Sequence, residues 1–598
     1  TSRRNFLKTL VDNVQVTAIK QGLVLRSEPV AATIVGSRAI ERQHVDALKN
    51  LSQYVPNFHA PDYGSRMTSS IYVRGLGARI DQPVVGLNID NVPVLNKNNF
   101  DTEIADAERI EVLRGPQSTL YGRNTMGGVV NIVTRKLRKE GVDTHASVGY
   151  GSYNTLETEL TNRIRKGRFS SVVSGSYNRT DGHRVDMGFE QYGGYAQLGY
   201  EVATHWSVRG DVNVTHFNAS YPGPVQAPLL DGDQRITRGM TSFALENSHE
   251  RSSGALSFFY NWGDHWINDG YTPSAGEGPQ ETRFRSYDDM TGVSLYQSLQ
   301  LFRGNRITLG ADWFRYGGRA RNVYVSGEQA GSSSSLVNKH ENEVAGYVDL
   351  RQHFGARITV NAGLRVDHHS RVGTEWVPQA GIAFHLPRAV EVKLSASKGF
   401  RYPILREMYM FPPQNPDLKP ESMWNYELAL SQQLADGRLT YGVNLFYIDG
   451  KNLILTLPNP SGSGMLNLNS GRIENAGAEI EAAWRIDERW TVDANYSYLH
   501  MEHPVVAAPE HKFHAGADFR CGRWHLTSGV QYIAGLYTQT DPVTTEEFVL
   551  WNMQASFRAA RWLGIWARGE NLLAQRYEIN AGYPMPRTTV MAGFDVHF

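Results

Sequence analysis

From about residue 141 to the C-terminus, apolar and polar positions alternate through stretches of roughly 9–12 residues. Short runs rich in Gly, Asn, Asp, Pro and Ser separate them. In "RITVNAGLRVD", Ile358, Val360, Ala362, Leu364 and Val366 fall on one face, and Thr359, Asn361, Gly363, Arg365 and Asp367 on the other. "VEVKLSASKG" sets Val390, Val392, Leu394 and Ala396 against Glu391, Lys393, Ser395 and Ser397. "WTVDANYSYLH" repeats the pattern from Trp490 to Tyr498. A period of two with one apolar face is a β-strand with one wet side.

Run length then chooses the setting. Strands of soluble proteins average about 5–6 residues, whereas a tilted strand needs about 9–11 to cross a bilayer. Long alternating runs, with aromatics near their ends as a membrane interface would place them, predict a transmembrane β-barrel. The last run, "TTVMAGFDVHF", puts Thr588, Val590, Ala592, Phe594, Val596 and Phe598 on one side. That is the pattern expected of a closing strand, since closure leaves no edge.

The first 140 residues read differently. "SRAIERQHVDALKNL" carries Ile40, Val45, Leu48 and Leu51 near helical spacing. The pieces "SIYVRG", "PVVGLNIDNVPV", "RIEVLRG" and "GVVNIVTRK" are strand-like but too short to span a membrane. They predict a small mixed α/β domain ahead of the barrel. The expected organisation is an N-terminal segment over residues 1–20, a globular domain over 21–139 and the barrel over 140–598. The basic "RKLRKEG" at 135–141 reads as a solvated turn at the boundary.

Composition narrows the function classes. The 598 residues carry 60 Lys+Arg and 60 Asp+Glu, which gives no basic footprint for nucleic acid. Cys521 is the single cysteine, so there is no intrachain disulfide framework or Cys-rich metal site. Mean hydropathy is −0.41, and no run of 18 apolar residues marks a membrane helix. With 57 Gly and 11% aromatics, composition alone fits a secreted all-β protein as well as a barrel. No signal peptide is seen, and the opening "TSRRNFLKTL" reads as a mature or trimmed start. No acid/base or nucleophile set stands out, so no enzyme is expected.

The stretch "RIEVLRGPQSTLYGRNTMGGVVNIVTRK", residues 109–136, gathers Gly115, Gly122, Gly127 and Gly128 without the Lys-Ser/Thr ending of a phosphate loop. It closely resembles the plug signature of TonB-dependent outer-membrane receptors. "IYVRGLG" at 71–77 and "VGLNIDNVPV" at 85–94 resemble the preceding plug motifs, in order. "RGENLLAQRY" at 568–577 is similar to the penultimate-strand motif, and Phe598 matches the terminal aromatic. The resemblance implies an antiparallel transmembrane barrel of about 22 strands with the α+β plug inside. It also implies a Gram-negative outer membrane, energy from TonB with ExbB–ExbD, a small-molecule metal chelate as cargo and a monomer. A surface lipoprotein partner stays open, and no resident cofactor or metal is implied.

Three sets of residues follow from the resemblance. "DNVQVTA" looks like a TonB box, comprising Asp12, Asn13, Val14, Gln15, Val16, Thr17 and Ala18. Such a segment adds a strand to another protein's sheet through backbone hydrogen bonds. Arg74 in "YVRG" and Arg114 in "VLRG" match plug arginines that face wall glutamates, here Glu427 and Glu479, with Glu481 on the same face as Glu479. Outward plug loops at 62–69, 78–82 and 95–103 offer Tyr63, Arg66, Arg79, Lys97 and Phe100 as ligand-binding candidates, and an extracellular loop adds Tyr409.

Cations with aromatic rings suit an anionic, partly aromatic ligand, so a ferric siderophore of catecholate type is the favoured cargo. "FRYP" and "NPDL" within residues 399–421 look like boxes of haem receptors, but between them stand Met408, Tyr409 and Met410 and no His. His59, His500, His503, His511 and His514 are read chiefly as surface histidines on loops. Haem or cobalamin is the runner-up cargo, and a passive porin is the alternative of a different class.

Overall fold

The computed structural model describes residues 15–16, 23–24, 31–37, 39–40, 45, 47–64, 71–77, 84–95, 107–135, 137 and 139–598. From Gly141–Gly151 to Thr589–His597, 22 strands form one closed barrel, each antiparallel to the next. Closure runs from His145 opposite His597 to Gly151 opposite Met591. Phe598 continues it, its backbone N–H donating to the Thr144 carbonyl at 2.9 Å.

Strand length differs from the sequence expectation. The shortest barrel strand, Leu563–Glu570, has 8 residues and the longest, Ser333–Phe354, has 22. The alternating runs mark only the part of each strand with an apolar outer face. Beyond it the ladder continues with polar residues on both sides, where hydropathy no longer alternates. One end of the barrel has tight connections such as 167–168, 204–205 and 522–523, and the other has long ones such as 402–420 and 571–588. In outer-membrane barrels short turns face the periplasm and long loops the exterior.

The wall is apolar outside and polar inside. In Ile358–His369, Thr359, Arg365, Asp367 and His369 are fully buried, while Leu364 is exposed. The polar face that looks wet in the sequence is covered by the plug.

That plug is built on a five-stranded sheet in the order Ala31–Gly36, Ala107–Arg114, Gly128–Thr134, Val85–Ile89, Val92–Pro93. Val85–Ile89 runs parallel to Gly128–Thr134, and the other pairs are antiparallel. A two-stranded sheet joins Phe58–His59 to Tyr72–Val73. Ser37, Ala39 and Ile40 are helical, residues 41–44 lie outside the described set, and Leu48–Gln53 is a 3-10 turn. Ile40, Val45, Leu48 and Leu51 are all buried, as their spacing predicts. The plug core of Val55, Phe58, Leu87, Ile110 and Val130 is continuous with Met423, Phe446, Ile448 and Leu499 of the wall. Plug and barrel therefore share one apolar interior, and polar fastenings surround it.

Candidate functional site: the plug–wall junction

Arg74 follows the strand Tyr72–Val73 in a tight turn, with φ of 54°. The turn is set by its own N–H donating to the Asn57 carbonyl at 2.8 Å. This aims the guanidinium across the junction. Nε and Nη2 donate to the two carboxylate oxygens of Glu479 at 2.9 and 3.2 Å, and Nη1 donates to Glu427 Oε1 at 2.7 Å. The guanidinium also lies 4.3 Å from the centre of the Phe446 ring. Burial opposes the charge, but Glu427 and Glu479 outweigh it and hold the Arg74 pKa above its ordinary value.

Arg114 ends the strand Ala107–Arg114 and reaches the same cluster. Its Nη1 donates to Glu481 Oε1 at 3.0 Å, and its Nε stands 3.3 Å from Glu479 Oε2. Glu479 thus serves both arginines, and Glu481 is a partner in its own right. Three adjacent strands carry the wall side: Glu421–Leu434, Leu439–Pro458 and Met465–Arg485. Asn444 on the middle strand donates to Glu427 Oε2 and Glu479 Oε2 at 3.0 and 3.2 Å. Asn475 donates to the Arg74 carbonyl at 3.0 Å, and Asn57 to Glu479 Oε1 at 3.2 Å. Gly115 sits at φ +81°, and a Cβ there would stand 2.7 Å from Glu427 Oε1. The turn after Arg114 needs glycine both for its backbone and for this close approach.

A second fastening has no arginine. Lys512, on Pro509–Cys521 of the wall, is 2% exposed. Its Nζ donates to the carbonyls of Ser52, Val55 and Phe58 at 2.5, 2.7 and 2.7 Å. His59 lies buried beside it, with neither ring nitrogen hydrogen-bonded. Burial, helped by the Lys512 charge, lowers the His59 pKa from 6.5 to about 3. Towards the loop end, Arg123 of the plug stands 3.2 Å from Glu343 and 3.4 Å from the Tyr316 ring centre. Asp90 of the plug meets Arg209 of the wall at 3.1 Å.

Sequence reasoning found Arg74, Arg114, Glu427 and Glu479, and the structure brings them together. It missed Lys512, Asn444, Asn475 and Phe446. These are ordinary inward positions of alternating strands, and nothing in the pattern sets them apart. Of the candidate TonB box, Gln15–Val16 pairs antiparallel with Leu23–Val24, and Asp12, Asn13, Val14, Thr17 and Ala18 lie outside the described residues.

Of the candidate ligand residues, Arg66, Arg79, Lys97 and Phe100 also lie outside the described residues. Tyr63 packs edge-on against Tyr583 of the 571–588 loop, with ring centres 4.8 Å apart. Tyr409 lies in Arg406–Met410 of the 402–420 loop, 4.7 Å below Lys339 Nζ. Both are at the loop end, Tyr63 against the 571–588 loop and Tyr409 against the strand Ser333–Phe354.

The "FRYP" segment has a structural task. Arg401 is fully buried and donates to Glu421 at 2.7 Å and to Glu407 at 2.9 and 3.0 Å, which anchors both ends of the 402–420 loop. The histidines divide. His500 and His503 are exposed at the loop end, but His59 and His514 are buried inside, which corrects their reading as surface residues. They are interior because His59 continues the plug strand and His514 takes an inward position of the wall. Among the described residues, no group of three His, Cys, Asp or Glu side chains could hold a metal ion.

The family comparison follows this division into wall and plug. Residues 218–572 match the model of the TonB dependent receptor-like β-barrel, and residues 24–129 match that of the TonB-dependent receptor plug domain. The chain belongs to the TonB-dependent receptors. Among its relatives, the iron-regulated outer membrane virulence protein of Vibrio cholerae is 23% identical, covering 85% of this chain and 82% of that one. The vitamin B12 transporter BtuB of Vibrio vulnificus is 22% identical over 95% of this chain and 91% of its own. The receptor fold recurs in the siderophore receptor PiuA of Acinetobacter baumannii, with a TM-score of 0.83 at 13% identity over 99% of this chain and 100% of that one. It recurs too in the ferric yersiniabactin uptake receptor FyuA of Yersinia pestis, with a TM-score of 0.79 at 18% identity over 96% and 98%. TonB-dependent receptors are a family of receptors and transporters.

Proposed function

We propose that this receptor imports a scarce iron chelate, a ferric siderophore with the catecholate type favoured, across the outer membrane of a Gram-negative bacterium. TonB, energised by ExbB–ExbD, would pull on residues 12–18 once they had added a strand to its sheet. The observation that carries the reading is the plug held by Arg74 and Arg114 on Glu427, Glu479 and Glu481. A passive porin needs no such stopper, and one fastened by discrete polar contacts can be released by force.

Four similar proteins support the cargo class. A relative is called iron-regulated, and fold neighbours are titled receptors for ferric yersiniabactin, ferric enterobactin and ferripyoverdine. On the chain itself, Lys339 over Tyr409 gives a cation beside a ring at the loop end, which suits an anionic aromatic chelate. Cobalamin is the second reading, favoured by the relative named as a vitamin B12 transporter. Haem is supported by the exposed His500 and His503 at the loop end as candidate axial ligands.

The test is growth and uptake under iron limitation with individual chelates, comparing the intact receptor, its deletion and a deletion of residues 12–18. Uptake of one ferric siderophore should fall with both deletions. Uptake of every iron chelate unaffected by losing the protein rejects the cargo, and unaffected by losing only residues 12–18 rejects the coupling segment.

A further inference from the structure

The ten short turns at the periplasmic end of the barrel share a residue type. Nine of them, all but 204–205, contain a single arginine. Arg168, Arg251, Arg357, Arg438, Arg489 and Arg523 form one group, and Arg303, Arg388 and Arg561 complete the ring. All nine are exposed. The same ten turns hold four acidic residues, Glu250, Asp436, Asp487 and Glu488, in a chain whose formal charge is zero. At the loop end the balance is reversed, and acidic residues outnumber basic ones in the connections.

The group of six is placed by the ladder itself. Each arginine carbonyl accepts a backbone hydrogen bond from the adjacent chain segment, from Glu201, Gln300, His385, Arg485, Arg520 and Arg558 in turn, at 2.7–3.0 Å. Each arginine is therefore the last rung of the strand that follows it, and side chains alternate from there. The outward positions of these six strands carry the exposed Phe169, Phe258, Leu364, Leu445, Trp490 and Trp524. By alternation the six arginines lie on the opposite face, around the mouth of the barrel and away from lipid.

None of the nine is ion-paired among the described residues. Asp487 uses its Oδ1 to accept from the backbone N–H groups of Arg489 and Trp490, both at 2.7 Å. The guanidinium groups of Arg438 and Arg523 donate to the carbonyls of Ala435 and Ala559 at 3.3 and 3.4 Å.

What such a ring can hold follows from its spread. One cation per hairpin around a mouth is not the single face on which a folded protein docks, and that kind of interface needs buried anchor residues. Lipid phosphate lies on the other side of the wall, with the aromatic positions. An extended polyanion beneath the membrane meets the ring as it stands. Many weak guanidinium–carboxylate contacts add up when the carboxylates are tethered to one another.

We propose that the periplasmic arginine ring binds the carboxylates of the peptidoglycan beneath the outer membrane. The contact braces the wall of the barrel against an inward pull on its plug.

The test uses purified sacculi and the full-length receptor in detergent, with the folded barrel verified by its mobility in unheated electrophoresis. Wild type should sediment with the sacculi at low ionic strength and be released by about 0.5 M salt. Sacculi with amidated carboxyl groups should retain about fivefold less receptor. Equal retention overturns the proposal without recourse to any variant. The triple variant Arg438→Gln, Arg489→Gln, Arg523→Gln should also lower retention about fivefold. Arg235→Gln, Arg576→Gln, Arg587→Gln, which removes three exposed charges near the loop end, should leave it unchanged. Equal losses in the two triple variants would make binding a matter of net charge and overturn the assignment to the ring. So would a rim variant that sediments like wild type but holds fewer phosphatidylglycerol molecules in native mass spectrometry, which would give these arginines to lipid.

Discussion

Arg74 and Lys512 are both cations sealed between plug and wall, yet one faces carboxylates and the other backbone carbonyls. Arg74 belongs to the plug and its partners to the wall. Lys512 belongs to the wall and its partners to the plug backbone. The first contact recognises side chains, so it tolerates small changes in how the plug loops are folded. The second exists only while residues 52–58 keep the turn that converges three carbonyls on one point. One fastening therefore reads the position of the plug, and the other reads its local fold. A force on the N-terminal segment would meet these two kinds of resistance differently.

Reversing the charge at Arg74 should give the largest effect. In Arg74→Glu, a third carboxylate replaces the cation between Glu427 and Glu479, and Arg114 alone remains to offset them. Breaking a buried pair by removing one partner costs about 3–5 kcal/mol. The expected outcome is an unseated plug in an intact barrel, seen as protease cleavage within residues 107–134 and entry of large hydrophilic antibiotics. A variant as impermeable and protease-resistant as wild type would sink the latch role of Arg74.

Lys512→Met should come next. It retains much of the side-chain length but leaves three carbonyls without their donor. Unsatisfied buried acceptors cost about 1–3 kcal/mol. Hydrogen exchange should quicken within residues 47–60 and stay unchanged at the Arg74 cluster. If both regions loosened together, the two fastenings would be one cooperative unit, and the contrast drawn above would fail.

How far the sequence foretold these fastenings follows from what each requires. Arg74, Arg114, Glu427 and Glu479 lie in motifs, and Glu481 was visible because it shares the face of Glu479. Lys512 stands in "EHKFHAG" at an inward position like any other polar residue of an alternating strand. Its role depends on which plug atoms arrive opposite it, and that is set by tertiary packing. The barrel itself was legible because period two survives wherever one face meets lipid. Strand ends were not, because that constraint stops where the apolar band stops. The register of the outer wall is a similar case. Arg319 and Arg321 are visible as letters, but the pairing of Arg321 with Arg285 depends on a register between two strands joined by the 300–304 turn.

The His59 beside Lys512 gives the contrast a pH dependence of intermediate size. Unfolded, this histidine takes up a proton near pH 6.5, while in the seated plug it does so only near pH 3. Between these values the native state binds fewer protons, so seating weakens as pH falls through the window and is unaffected above it. The slope is about 1.4 kcal/mol per pH unit for one such group. His59→Phe should flatten the acid dependence of exchange at residues 47–60. An unchanged slope would assign the acid sensitivity to other groups.

The smallest effect is expected where the Arg74–Arg114 cluster meets water. Thr33 Oγ1 donates to Glu481 Oε1 at 2.8 Å, the same oxygen that accepts from Arg114 Nη1. The Glu481 side chain is 39% exposed, whereas that of Glu479 is 1% exposed. Removing the hydroxyl in Thr33→Val lets water replace the lost donor, so the cost should stay near 0.5–1 kcal/mol. Glu479→Gln removes a charge shared by two buried arginines, and no water can take its place. The two variants should therefore differ several-fold in antibiotic entry and in plug exchange, although both residues belong to the one cluster around Arg114, Glu479 directly and Thr33 through Glu481. Near-equal effects would mean that the cluster is solvated throughout, and Glu479 would then be no more than one of several exchangeable surface carboxylates. A large gap would identify Glu479, rather than the count of ion pairs, as the group that keeps the plug seated.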